Sequence, residues 1–202
     1  MASRIVDVVA GVGTAIMLSV ASTVHAQDSW SGPELPVRVF DLTGQHAEKR
    51  RAALEIAAGV LADAGVRIVW TVCGSAGGVV TDCSASLKHN ERVIRVNQRS
   101  PTVRNQEHAV MGDAVVDRRI QSGVLATIYA DRVWSMASRA AVDNAVLLGR
   151  AIAHELGHLL LGGSHSSTGI MRSRWTVNEI RWDRPDDWRF TNAQVATLAV
   201  LR

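Results

Sequence analysis

Three of the seven histidines of this 202-residue chain fall close together in the stretch AHELGHLLLGGSHSSTGIM, residues 153–171. His154 and His158 lie four residues apart in a mostly apolar run, AVLLGRAIAHELGHLLL, whose composition predicts a helix. At ~100° per residue, four steps return the second imidazole to within about 40° of the first, one turn along. Two rings so placed can grip one cation from a single helix face, which is why this spacing chelates zinc. Glu155 sits beside the pair but off its axis. There it can take a proton from a water acidified by the cation, and later return it to a leaving amine. Gly157 interrupts the helix at a cost of about 1 kcal/mol relative to alanine, and a close backbone approach beneath the site would account for it.

A third ligand has two contenders. His165 comes seven residues after His158, across the pair Gly162-Gly163, both of which can reach positive φ without a steric penalty. Glu179, in TVNEIRWD, lies 21 residues after His158. That spacing suits the thermolysin-like arrangement, in which a glutamate on a later helix ligates. Trp182, Asp183, Pro185 and Asp186 predict a loop, with no long helix evident there to aim the Glu179 carboxylate, whereas His165 brings a glycine turn and a following Met171. His165 is therefore the favoured ligand and Glu179 its rival.

Residues 149–175 resemble the metzincin class of zinc metallopeptidases, whose signature is HExxHxxGxxH followed by a methionine turn. HSSTGIM is similar to the segment after the third ligand in matrixin-type members. The resemblance implies His154, His158 and His165 as zinc ligands, Glu155 as catalytic base and Met171 as a floor beneath the metal. It also implies a peptide bound in extended form along a sheet edge, with Arg172 and Trp175 on the wall of a specificity pocket. The chain departs from the signature at one point. Leu161 holds the place of the usual glycine, and the third histidine arrives one residue late.

Positioning such a site requires a scaffold. Alternation predicts strands over residues 36–42, 66–72, 92–96 and 123–130, with an edge strand at 113–117. Three- and four-residue steps of Ala53, Leu54, Ala57, Val60 and Leu61 predict a helix over 45–64, ended by Gly65. A short helix is expected over 131–138 with Asp131 as its N-cap, and the long site helix over 143–161. Thr191 and Gln194 match a capping box opening a C-terminal helix. The order specifies an α+β, zincin-like domain: a mixed twisted sheet with a long active-site helix and a C-terminal helix.

Residues 1–26 read as a signal peptide, and 27–202 as the metallopeptidase domain. Arg4 precedes a 13-residue apolar run, VVAGVGTAIMLSV, and VHA fits the small-residue cleavage pattern. The run is short of the ~20 residues of a spanning helix. Export predicts a secreted or periplasmic chain in which Cys73 and Cys83, the two cysteines, form a disulfide. The net charge of +3 is scattered among acids rather than gathered in a stripe, which argues against nucleic acid. The expected partner is a polypeptide substrate met by a monomer without stable membrane insertion, and no calcium loop is evident. The only tyrosine, Tyr129, lies upstream of the site, leaving the metal and Arg172 as electrophiles. A non-catalytic zinc-binding domain and a membrane-anchored interaction protein remain as alternatives. Glu155 speaks against the first, since a closed structural site needs no adjacent base.

Overall fold

The computed structural model describes residues 34–76, 79–81, 83–101 and 110–200, with side chains described for all but 75, 76 and 79–81. The expected signal peptide lies outside the described residues. The elements in order are β1 (Glu34–Asp41), α1 (Ala47–Asp63), β2 (Arg67–Ala76), β3 (Val79–Thr81), β4 (Arg92–Asn97), β5 (Gly112–Asp117), β6 (Ser122–Tyr129), α2 (Ala130–Ala140), α3 (Asn144–Leu161), α4 (Val177–Trp182), a 3-10 turn (Pro185–Trp188) and α5 (Asn192–Ala199).

The strands form one mixed sheet in the order β3-β2-β1-β4-β6-β5. β1 pairs in parallel with β2 and β4, and β4 with β6, while the outer strands β3 and β5 run antiparallel to their neighbours. Strand alternation sends every second side chain to one face. The register therefore lines up Val72, Val39, Ile94, Ala126 and Ala114 in one row across five strands. α1 and α3 pack on each other, and α3 also packs on β6 and β5. α3 is buried nearly all round: Leu147, Leu148, Ile152, Leu156 and Leu159 are essentially inaccessible. A helix enclosed in this way is held by packing rather than by amphipathicity, and it offers a rigid base for side chains.

The α+β architecture follows the sequence closely, with three local corrections. Residues 182–186, expected as a loop, instead include the first residues of the 3-10 turn and the last residue of α4. The start of α4 is fixed by a capping box in which Thr176 and Glu179 satisfy each other's backbone N–H groups. Asp131 does not cap α2, which begins at Ala130 behind Tyr129; its carboxylate accepts from the Ser100 N–H and hydroxyl and from the Arg132 N–H. The short β3 was not foreseen.

At the far edge of the sheet from β5, Cys73 and Cys83 are joined in a disulfide. Beside it, Arg38 reaches out from β1 and donates to both oxygens of Glu91, at 2.6 and 3.0 Å. The same guanidinium donates to the carbonyls of Cys83, Ala85 and Ser86. One planar group with five donors thus pins the segment that follows the disulfide. No helix among the described residues is long and apolar enough to cross a membrane.

Candidate metal centre

α3 opens at Asp143, whose carboxylate accepts from the Ala145 N–H at 2.7 Å, and it runs into the site four turns later. Near its C-terminal end His154 and His158 emerge on one face. Leu161 is the last helical residue, and Gly162, at φ +91°, turns the chain. Gly162 alone takes positive φ; Gly163, expected to share that role, does not. One left-handed residue is enough to bring His165 back over the helix.

The three imidazoles converge. His158 Nε2 lies 3.0 Å from His154 Nε2 and 3.2 Å from His165 Nε2. Nitrogens 2.0–2.1 Å from one zinc ion at tetrahedral angles would be ~3.3 Å apart, close to both values. The other ring nitrogens of His154 and His158 show why these two face inward. His154 Nδ1 donates to the Ile170 carbonyl at 2.8 Å, and His158 Nδ1 donates to the Gly162 carbonyl at 3.0 Å. A carbonyl can only accept, so both neutral rings must present bare Nε2 lone pairs to each other. Two acceptors at 3.0 Å repel unless a cation lies between them. Burial lowers the His154 pKa to about 4, and it lowers those of His158 and His165 as well, which favours the neutral form that ligates. Among the described residues these three form the group able to hold a metal ion.

The turn that carries the backbone partner of His154 is itself secured. The Ile170 N–H donates to the Arg189 carbonyl, and the Ser166 N–H donates to the Met171 carbonyl. Met171 is fully buried beneath α3. A Cβ added at Gly157 would stand 2.4 Å from Met171 Sδ and 2.9 Å from Phe190 Cε1, so the absence of a side chain there is what lets the methionine lie under the ligand helix.

Glu155 is buried, with only 5% of its surface exposed, and its Oε2 has no hydrogen-bond partner. Burial pushes its pKa up to about 8, with the charge of Asp113 adding to the rise. A dication beside the carboxylate would act in the opposite direction. An orphaned buried carboxylate oxygen on the residue next to His154 can accept from a donor brought into the site.

Glu179 is occupied elsewhere. One of its oxygens accepts from the Thr176 N–H at 2.7 Å, and the other accepts from Arg172 at 2.6 Å. These bonds, led by that to the Thr176 backbone, lower its pKa. Arg172, expected on a pocket wall, is braced between Glu179 and Asp187 and donates to the Gly169 carbonyl. Trp175 does stand at the site, meeting the His154 ring at right angles with centroids 5.5 Å apart. It meets Trp188 in the same manner, and Arg150, one turn before His154 on α3, lies over the Trp188 ring at 3.9 Å. Sequence reasoning passed over Gly112 of β5, which lies against Glu155. It also set aside Tyr129, whose hydroxyl donates to Asp113. Both are distant in sequence and carried no motif.

No protein-family model and no curated protein matches this chain. Among solved structures, that of archaemetzincin from Methanopyrus kandleri is similar at 15% identity and a TM-score of 0.49, covering 83% of this chain and 94% of that one.

Proposed function

We propose that this chain is an exported zinc endopeptidase of metzincin type. The observation that carries the reading is the convergence of three Nε2 atoms, with a buried carboxylate on the residue after His154 whose Oε2 has no partner. His154, His158 and His165 would hold the ion, leaving a fourth position open as catalytic zinc sites do. Zinc, when bound, supplies Lewis acidity for the scissile carbonyl and a water acidified toward neutral pH.

The remaining work falls to the chain. Ile170 and Gly162 hold two rings in the ligating tautomer through their carbonyls. The Glu155 carboxylate would accept the proton of the attacking water and then deliver it to the leaving amine. Burial excludes competing water from Glu155 and strengthens its interactions. β5 is the outermost strand of the sheet order on the site's side, so an extended peptide has a strand edge to pair with. The Cys73–Cys83 disulfide suits an oxidising compartment, in keeping with export.

The decisive test combines metal analysis with hydrolysis of an unfolded protein substrate. Glu155→Ala should keep one zinc per chain and lose about 10²–10⁴-fold in turnover. Undiminished turnover in that variant would sink the peptidase reading and leave a zinc-binding domain. His165→Ala should lose the metal while Glu179→Ala keeps it, and the reverse pattern would move the third ligand to Glu179.

A further inference from the structure

The proposed base is not held by its own helix alone. At the head of β5, Gly112 lies so close to Glu155 that an added Cβ would fall 2.8 Å from Oε1 and 2.9 Å from Cγ. The same Cβ would also stand 2.9 Å from the Thr127 carbonyl, so it could not move aside toward β6. Bare main chain therefore backs one side of the carboxylate, while Oε2 stays unpartnered.

What keeps the strand there is the residue at the end of β6. The Tyr129 N–H donates to the Met111 carbonyl at 2.8 Å, and the Tyr129 hydroxyl donates to Asp113 Oδ1. The two bonds straddle Gly112. Tyr129 is only 8% exposed and sits where β6 passes directly into α2, so its ring is fixed by two elements. β5 is the outermost strand, paired on one side only, so these two bonds add to its ladder with β6 next to Gly112.

We infer that Gly112, Asp113 and Tyr129 are positioning residues for Glu155: Tyr129 clamps β5 on either side of Gly112, and the glycine backbone fixes the place of the carboxylate beside the histidines. The inference rests on the peptidase reading for its purpose. Its geometry concerns the aim of one carboxylate, and that can be read without turnover.

Acetohydroxamate is a suitable probe, because it chelates zinc and offers a hydrogen-bond donor to an adjacent carboxylate. The test compares zinc content, thermal midpoint, acetohydroxamate affinity, kcat and KM for wild type, Gly112→Ala, Tyr129→Phe and Glu155→Ala, all zinc-loaded. Gly112→Ala should keep its zinc, bind the hydroxamate about 10-fold more weakly and lose about 100-fold in kcat with KM little changed, the scale set by misplacing a catalytic group by ~1 Å. Tyr129→Phe retains the ring and removes only the clamp to Asp113; it should show the same pattern several-fold more weakly, on the order of 3–10-fold.

Wild-type hydroxamate affinity in Tyr129→Phe, or losses that track a fallen thermal midpoint or lost zinc, would overturn the inference. So would a Glu155→Ala variant that binds the hydroxamate as tightly as wild type. A wild type that hydrolyses nothing but loses hydroxamate affinity in the Gly112 and Tyr129 variants would refute the peptidase reading while keeping the positioning set.

Discussion

Two carboxylates in this chain are buried to the same extent, with opposite consequences. Glu91, like Glu155, is 5% exposed, but both of its oxygens are taken, by Arg38 and by the Lys88 N–H. Its pKa is held below the usual value of 4.5, chiefly by the Arg38 hydrogen bond. A carboxyl with a lowered folded-state pKa contributes stability above its unfolded pKa and loses it as pH falls through the folded value. The prediction is that wild type loses stability from about pH 4.5 downward in excess of Glu91→Gln, seen as a steeper fall in urea midpoint. At neutral pH that substitution should cost about 3–5 kcal/mol, since it leaves Arg38 buried without its counter-charge. Glu155 presents the other case, a group whose burial is uncompensated in the protein itself. Sequence spacing exposed His154, Glu155 and His158 because helix geometry alone relates them. It could not expose Gly112 or Tyr129, because their relation to Glu155 exists only once β5 lies against α3.

Elements whose ends are written locally were legible before folding. Asp143 before α3, Thr191 with Gln194 before α5, and Gly65 after α1 each act within a few residues of themselves. Thr176 and Glu179 form the same capping device before α4, yet the tryptophan and acidic residues that follow suggested a loop. The helix is only six residues long, and its buried Ile180 together with the Arg172 brace holds it in place. Asp131 is not the cap because α2 already starts at Ala130, and its carboxylate bonds to distant Ser100 as well as to the Arg132 N–H. The cap on α3 carries a measurable expectation. Asp143 accepts from Ala145 and from Lys49, the latter at 2.6 Å between exposed side chains. Asp143→Ala should lower stability by about 0.5–2 kcal/mol through the lost cap. Lys49→Ala should cost less than about 1 kcal/mol, as exposed ion pairs do. Equal losses in urea titrations would show that the ion pair rather than the cap matters.

At the scale of the molecule, the stabilising staple and the metal centre stand at opposite ends of the strand order. The disulfide joins β2 to the segment after β3, and Glu155 faces β5. Closing so short a loop is worth about 2–3 kcal/mol. Reduction, or Cys73→Ser with Cys83→Ser, should therefore lower the thermal midpoint while leaving zinc stoichiometry and affinity unchanged. A loss of zinc on reduction would contradict that separation. The converse treatment should also be visible. Chelation should destabilise the folded chain, because any ligand that binds only the native state adds RT ln(1 + [L]/Kd), about 4 kcal/mol at a thousandfold excess over Kd.

The peptide of Ile170 has two partners that belong to different parts of the fold. Its carbonyl holds the tautomer of His154, and its N–H donates to Arg189, at the junction between the 3-10 turn and α5. On the proposed reading, the 189–191 junction is linked to the ion: whatever tightens His154 on it also discourages the Ile170 amide from opening. By reciprocity, the Arg189 carbonyl would then contribute to metal affinity although Arg189 is not a ligand. Hydrogen exchange at Ile170 would report zinc occupancy directly, and a proteolytic nick at the 189–191 junction would be expected to release the ion before it unfolds the sheet.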